Sequence, residues 1–349
     1  MRIGFHAGAI NERGMSVALY DYARGCQDIL GHEAVVYFSE PHSDAAVVEK
    51  YRETLQLIPL PRGRDQRRFS EPHKLDFCYF IRDGRKQLLG LSAERTGVHA
   101  VFRHFEPHGD VYAYVSDWLS EWMTGGQAPA VPHLVSLPEA DGNLRPDLGI
   151  PRDAFVVGRY GGFDQFNIPF AQAAVAEALE RRSNLHFLFV NTEKFLDHPR
   201  AFFLPPVISP SGKARFINSC DAGLNAKKIG ESFGLAIVEF MHFGKPVFSW
   251  AGGMDQNHVH LTPERTWNYR TKRDLLRLLT EYVPDPADRD LARSSVECYR
   301  PEPVMKRFEN AFLSGSYSAQ DLHLPETFKA KRLVQEKLLR AKFRLWKSL

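Results

Sequence analysis

Gly230-Glu231-Ser232-Phe233-Gly234-Leu235-Ala236-Ile237-Val238-Glu239-Phe240 runs on through Met241-His242-Phe243 to Gly244-Lys245-Pro246, and its reading decides the fold. It reads as a turn, a helix start, an almost wholly apolar helix and a stop. Ser232 is the expected N-cap, because a serine oxygen can accept from the free amides of a first helical turn. Gly244 followed by Pro246 marks the helix end. Leu235, Ala236, Ile237, Val238, Phe240, Met241 and Phe243 leave no polar face, so the helix is expected to be buried. Glu239 sits in its middle, and an unpaired buried carboxylate is very costly. It has to meet either a protein cation or the hydroxyls of a ligand.

Glu231 stands just before this helix. Were all the intervening residues helical, the two carboxylates would lie ~12 Å apart along the axis, at ~1.5 Å per residue. Between them fall the free N–H groups of the first turn, a natural seat for a diphosphate. One such segment could touch the sugar, the phosphates and the ribose of a nucleotide sugar.

Outward from this segment, apolar runs alternate with loops and helical stretches. Asp221–Asn225 and Pro246–Trp250 flank it as short strands. Upstream lie strand Ala154–Arg159, a Gly161-Gly162 loop, helix Phe170–Arg181 and strand Leu185–Asn191. The amino-terminal part repeats the pattern: strand Arg2–Ala7, loop Gly8–Ser16, helix Val17–Leu30 and strand His32–Ser39. The runs Phe77–Ile81, Gly97–Phe102 and Val111–Val115 follow, with a helix from Asp117. Strand, loop and helix in repetition imply parallel strands with crossover helices, an α/β fold. Val131–Arg152, rich in Pro, Gly, Asp and Asn, is the linker. Helices are expected at Lys272–Tyr282 and Pro301–Ser314. The expected division is 1–140, 141–300 and a helical 301–349. The first two are Rossmann-like lobes with a cleft between them, ligands binding at the carboxyl ends of the strands.

The 349 residues suffice for two cores, and a net charge of +3 is too small to make nucleic acid the main partner. Cys26, Cys78, Cys220 and Cys298 lie far apart in no metal or redox spacing, and read as free thiols of a reducing cytoplasm. The opening Met1-Arg2-Ile3-Gly4-Phe5 reads as a strand rather than a signal peptide, and no apolar run approaches ~20 residues. A cytoplasmic protein is expected.

Several further groups could carry chemistry. Arg159, in Gly158-Arg159-Tyr160-Gly161-Gly162, ends a strand where its fork could hold phosphate oxygens or form a salt bridge. Lys227 and Lys228 precede Gly230. Gly8-Ala9-Ile10-Asn11-Glu12-Arg13-Gly14 is a glycine-bearing loop between the first strand and helix, and equally a plain turn. His99, His104 and His108 lie between a strand and a loop, as packed histidines, site residues or, less readily, a metal set. Trp250-Ala251-Gly252-Gly253-Met254 follows a strand. Arg62, Arg64, Arg67 and Arg68 form a solvated loop or the seat of a phosphate-bearing ligand. Lys329, Lys331, Arg332, Lys337, Arg340, Lys342, Arg344 and Lys347 face a single acid, Glu336, in the tail. Val334, Leu338, Ala341 and Leu345 make an apolar stripe there, joined by Leu339, Phe343 and Trp346. Such a helix lies on an anionic membrane surface or packs on protein.

Glu231 and Glu239 with seven residues between them, Phe233-Gly234-Leu235 inside and Gly244-Lys245-Pro246-Val247 after, resemble the E-x7-E signature of retaining GT-B glycosyltransferases of family 4. The resemblance is strongest over residues 155–260 and weaker over 1–140. It implies an amino-terminal acceptor lobe, a donor lobe over 141–300, and transfer of a sugar from a nucleotide-diphosphate donor to a hydroxyl with retention, without a metal or other cofactor. It implies that Glu231 holds sugar hydroxyls and Glu239 the ribose. Arg159, Lys227, Lys228 and the segment Ser232, Phe233, Gly234 and Leu235 would bind the donor. Gly14 would approach the donor phosphates, His104 the sugar and acceptor, and the loop after Trp250 the nucleotide. The family pattern places a lysine a few residues after Arg159. Asp164, Gln165 and Asn167 stand there instead, so Lys227 or Lys228 would have to supply the charge. The acceptor would be a carbohydrate, a lipid-linked sugar or a protein, in surface polysaccharide or glycoconjugate synthesis. A nucleotide-sugar epimerase of the same fold, or a catalytically degenerate sugar-nucleotide-binding partner subunit, are the alternatives.

Overall fold

The structure, a computed structural model, describes residues 1–61, 66–261 and 267–347. It divides into two compact units, Met1–Ser136 with Tyr299–Lys337, and Leu137–Cys298 with Leu338–Leu349.

The first unit carries β1 (Arg2–Gly8), β2 (Glu33–Phe38), β3 (Gln56–Pro59), β4 (Phe77–Arg82), β5 (Arg95–Ala100) and β6 (Val111–Tyr114). They form one parallel sheet in the order β3-β2-β1-β4-β5-β6. Phe77 to Ile81 are all buried, as a strand covered on both faces requires. The connecting helices are α1 (Gly14–Asp28), α2 (Ala45–Arg52), the short α3 (Gln66–Ser70) and α4 (Asp117–Thr124).

The second unit has β7 (Phe155–Tyr160), β8 (Leu185–Val190), β9 (Ala201–Leu204), β10 (Ala222–Asn225), β11 (Gly230–Glu231), β12 (Val247–Trp250), β13 (Asp255–Gln256) and β14 (Asn268–Tyr269). Its main sheet is also parallel, in the order β14-β12-β10-β7-β8-β9, with β11 and β13 as a separate pair. Its helices are α5 (Pro169–Arg181), α6 (Pro210–Asn218), α7 (Leu235–His242), α8 (Lys272–Glu281) and α9 (Pro286–Ser295).

The chain ends in α10 (Pro301–Phe308) and α11 (Glu326–Lys347). The residues after 301, set apart as a helical extension by sequence, group with the first unit as far as Lys337. The reason is packing. Phe308 stacks on Tyr22 at 5.3 Å and meets Tyr79 at 5.4 Å, so α10 completes the first core. A side chain at Gly25 would meet Met305 Sδ at 2.4 Å, which is how closely α1 and α10 approach.

Each sheet builds outward in two directions, and the reversal lies between β1 and β4 in the first and between β7 and β10 in the second. The carboxyl ends of strands at such reversals are where open α/β sheets seat ligands. The residues found there are His6 and Arg82 in one unit, and Arg159, Tyr160 and Asn225 in the other.

The expected strands and helices form, with shifts at their ends. The first helix starts at Gly14 rather than Val17, because Ser16 and Val17 already donate to the Arg13 carbonyl. Val131–Arg152 carries no helix or strand among the described residues. Segments not anticipated are α2, β3, α3, β9, α6, β11, β13, β14 and α9, and α3 puts Arg67 and Arg68 on a short helix rather than in the expected loop. Cys26, Cys78 and Cys220 are buried thiols, and burial pushes those of Cys26 and Cys220 far up.

Candidate active site

The deciding segment folds differently at its start than its sequence suggests. Ser232 is not the N-cap of α7. Gly234 holds that position, in the left-handed region at φ 95°, and no side chain caps the helix. Glu231 therefore sits on β11 rather than within a continuous helix. Gly230 is also left-handed, at φ 85°, and a Cβ there would lie 1.9 Å from the Asp255 carbonyl oxygen, so only glycine fits. The helix end follows expectation. Gly244 adopts φ 70°, its amide donates to the Met241 carbonyl at 2.8 Å, and the Lys245 amide donates to the Phe240 carbonyl at 3.0 Å.

Glu239 is 3 % exposed, as the apolar setting requires. Of the two partners left open for it, a protein cation is present: Lys213 of α6 donates to its Oε1 at 2.8 Å. The same ammonium lies 5.3 Å from the Tyr160 ring centroid, and that ring stacks on Phe240. Lys213 carries no signal in the sequence, because the helix that holds it was not anticipated.

Glu231 is half-buried beside the carboxyl end of β10. Its Oε1 accepts from Asn225 Nδ2 at 3.1 Å and its Oε2 from Lys227 Nζ at 2.8 Å. Tyr269 donates to the Asn225 carbonyl at 2.8 Å and fixes that strand end. Asn225 could have been found by sequence, since it ends an expected strand next to the deciding segment. The Lys228 amide donates to Asn167 Oδ1 at 2.8 Å and its carbonyl accepts from the Trp250 indole at 3.1 Å, so its main chain is pinned on both sides. Phe233 is buried, and its carbonyl accepts from Asn257 at 2.8 Å. The amides of Leu235 and Ala236 open α7 ahead of the first helical hydrogen bonds, which start at Ile237 and Val238. His258, also missed, is buried behind this turn and donates through Nε2 to the Trp250 carbonyl at 2.8 Å; burial lowers its pKa.

Arg159 turns inward. Its Nη1 donates to the Asn191 carbonyl at 3.0 Å and to Thr192 Oγ1 at 2.6 Å, and its Nη2 donates to the Gly162 carbonyl at 2.8 Å. The guanidinium staples together the loops after β7 and β8. Burial lowers its pKa to about 10, opposed by Glu231 and Asp164.

In the first unit, Gly14 opens α1 with nothing near the place of its missing side chain. His104 has its main chain fixed, its carbonyl accepting from the hydroxyls of Tyr114 at 2.6 Å and Tyr112 at 3.2 Å. His99 is a core residue, bonded through Nδ1 to the Tyr79 hydroxyl at 2.6 Å. Among the described residues, no group of three or more His, Cys, Asp or Glu is placed to hold a metal ion. Arg67 and Arg68 are exposed on α3, whereas Arg62 and Arg64 lie outside the described residues, as do the side chains of Leu345, Trp346 and Lys347.

No protein-family profile and no curated protein matches the chain. Solved structures do. Anabaena Alr3699/HepE in complex with UDP-glucose matches with a TM-score of 0.68 at 14 % identity, over 89 % of this chain and 99 % of that one. WaaG, a glycosyltransferase involved in lipopolysaccharide biosynthesis, matches at 0.60 and 13 % identity, over 89 % and 100 %. The S. aureus MnaA–UDP structure matches at 0.58 and 10 % identity, over 89 % and 95 %. Likeness at these identities is likeness of fold, and the chain has the two-lobed α/β fold of GT-B glycosyltransferases.

Proposed function

We propose that this protein is a glycosyltransferase that moves a sugar from a nucleotide-diphosphate donor to an acceptor hydroxyl with retention of configuration. The observation that carries the reading is the Glu231 carboxylate, oriented by Asn225 and Lys227 at the carboxyl end of β10, directly before the uncapped start of α7. A carboxylate next to an open helix N-terminus offers acceptors for sugar hydroxyls beside donors for phosphate. The complexes of HepE with UDP-glucose and of MnaA with UDP support a nucleotide-sugar donor for this fold.

In this reading the bond from the sugar anomeric carbon to the donor phosphate breaks and a bond to the acceptor oxygen forms. The acceptor proton passes to the departing phosphate oxygen. The developing charge falls on the amides of Leu235 and Ala236 and on Lys228. Lys227 is committed to Glu231, and Arg159 to loop acceptors that it would have to leave to bind phosphate. Glu239, bonded to Lys213, would take the ribose as the resemblance implies. The roles of Gly14 and His104 rest on the resemblance.

Thermal stabilisation by a panel of nucleotide diphosphates tests the donor, since a ligand at 100 times its Kd stabilises by ~2.7 kcal/mol. Product analysis with donor alone and with acceptor then separates transfer from epimerisation. Nucleotide binding with no turnover of any donor would identify a degenerate binding subunit and reject the enzyme.

The tail supports a peripheral membrane position. No described helix is long and apolar enough to cross a membrane. Along α11, Phe328, Arg332, Glu336, Leu339 and Phe343 share a half-buried side, with Arg332 donating to the Met123 carbonyl and Glu336 paired with Arg103. The other side exposes Val334 and Leu338, 57 % and 60 % accessible, flanked by Lys331, Lys337 and Lys342. A bilayer with anionic headgroups complements that face in both polarity and charge.

A further inference from the structure

The reversal point of the first sheet holds a cation, Arg82, that forms no ion pair with a carboxylate among the described residues, the neighbouring Asp83 acting on it through its charge alone. Arg82 ends β4, and His6 lies across from Phe80 on the adjacent β1. Arg82 Nη2 donates to His6 Nδ1 at 2.8 Å, and the guanidinium lies over the Phe80 ring, 5.6 Å from its centroid. The His6 ring stacks on the same phenylalanine at 5.3 Å. The guanidinium also donates through Nη1 to the Ile81 carbonyl, at a long 3.5 Å. Asp83, next in sequence, is taken up elsewhere, accepting from the Arg85 amide at 3.0 Å and the Gln87 amide group at 3.3 Å.

These partners orient the guanidinium without cancelling its charge. An imidazole nitrogen that accepts from arginine is unprotonated, and burial together with Arg82 lowers the His6 pKa to about 4. The pair therefore keeps one positive charge at neutral pH. Arg82 Nε is buried with no hydrogen-bond partner, so the head group is partly desolvated without compensation. Gly8, at the end of β1 with φ 62°, places its missing side chain 4.0 Å from Arg82 Nη1, leaving backbone rather than a side chain beside the fork. A planar, fixed, uncompensated guanidinium is a receptor for an oxyanion, and it stands where parallel sheets seat ligands.

We propose that Arg82, held by His6 and Phe80, binds an anionic group, phosphate or carboxylate, on the acceptor. This rests on the transferase reading for the word acceptor, and on the first unit alone for the anion site. Acceptors lacking such a group would bind poorly.

The test is calorimetric titration of the full chain with inorganic phosphate and, separately, with acetate, with UDP present throughout to fill any donor seat. The wild type binds at least one of the two anions. Arg82→Gln weakens that binding at least ~10-fold, and Arg82→Lys, which keeps the charge but loses the fork, weakens it less. Preference for phosphate assigns a phosphoryl acceptor, and preference for acetate a carboxylated one. Equal affinity in wild type and Arg82→Gln, or no binding of either anion by the wild type, overturns the site. If the glutamine variant does not keep the wild-type melting temperature, the lysine variant gives the same decision. Anion binding that depends on Arg82 in a protein that turns over no donor would leave the site standing and reject the transferase reading instead.

Discussion

Lys213 and Glu239, 26 residues apart, join α6 to the middle of α7 through an ion pair of 2.8 Å whose side chains are only 13 % and 4 % exposed. A buried pair of this kind is costly to break and contributes little net, because desolvation offsets most of the attraction. Lys213→Met is expected to destabilise the protein by ~3–5 kcal/mol, since it strands a buried carboxylate. Lys213→Met combined with Glu239→Leu should recover most of that loss in urea unfolding. The double variant then isolates binding from folding. If Glu239 holds the ribose, its affinity for nucleotide diphosphate drops by ~10-fold or more, since a hydrogen bond to a charged group contributes ~1.5–3 kcal/mol and ~1.4 kcal/mol is tenfold. Unchanged affinity in the stable double variant removes Glu239 from the nucleotide site.

Glu231 is expected to give a different signature, because the role proposed for it is with the sugar. Glu231→Ala is expected to lower turnover by ~10- to 150-fold, the equivalent of ~1.5–3 kcal/mol for a hydrogen bond to a charged group, while leaving free nucleotide diphosphate affinity within about twofold. Lys228→Ala should lose ~100- to 1000-fold in turnover, as when one preorganised donor to a developing anion is removed. A wild-type rate in either variant takes that residue out of the site.

Gly230 couples this chemistry to the backbone. Alanine there adds a Cβ 1.9 Å from the Asp255 carbonyl oxygen in a left-handed conformation. Gly230→Ala is expected to destabilise by at least ~1–3 kcal/mol and to reduce activity, because β11 carries Glu231. An unchanged urea midpoint would show that the β11–β13 pair relaxes without penalty.

The strands Arg2–Gly8 and Phe77–Arg82 were legible because burial on both faces writes itself as an unbroken apolar run. The short β3 and β9 were not: Gln56–Pro59 and Ala201–Leu204 are four-residue edge strands with half-buried or exposed residues, too short for their apolar residues to mark a strand. Pro210-Ser211-Gly212 hid α6 behind residues that mark turns, although Pro210 stands at its first turn and Ser209 caps it. With α6 unseen, Lys213 was unseen, and Glu239 had no visible partner. Both acids, Glu231 and Glu239, stand out in the sequence, but the backbone between them does not. Gly234 in the left-handed region places the helix start after Phe233 rather than at Ser232. Arg159 was read as a cation at a strand end, which it is, but the sequence does not reveal the three acceptors that turn it toward the loops.

Histidines buried in the first unit make its stability depend on pH. Burial lowers both His6 and His99 from 6.5 to about 4, and Arg82 adds to the effect at His6. Below pH 6.5 the unfolded chain takes up protons that the folded chain refuses, so stability falls with pH. The contribution is fully present above about 6.5 and is lost progressively down to about 4. At ~1.4 kcal/mol per pH unit, each ring accounts for about 3 kcal/mol over that window. Urea midpoints measured from pH 7 to pH 4 should decline, and His99→Gln should flatten the decline. A midpoint independent of pH across this range would mean that the rings are reached by solvent.

The outer face of α11 offers the last measurement. Deleting the tail would also remove the Arg103–Glu336 pair and the bond from Arg332 to the Met123 carbonyl, so a deletion confuses docking with folding. Val334→Glu with Leu338→Glu leaves those contacts alone and changes only exposed positions. Near an anionic surface each Lys or Arg adds ~1 kcal/mol of attraction, and the apolar stripe adds the insertion. Sedimentation with vesicles containing anionic lipid is expected for the wild type, to fall at least ~10-fold for the double variant, and to weaken with added salt in both, as screening requires. Equal sedimentation of wild type and variant would assign the face to protein packing, and with it the basic side chains to solubility rather than to a membrane.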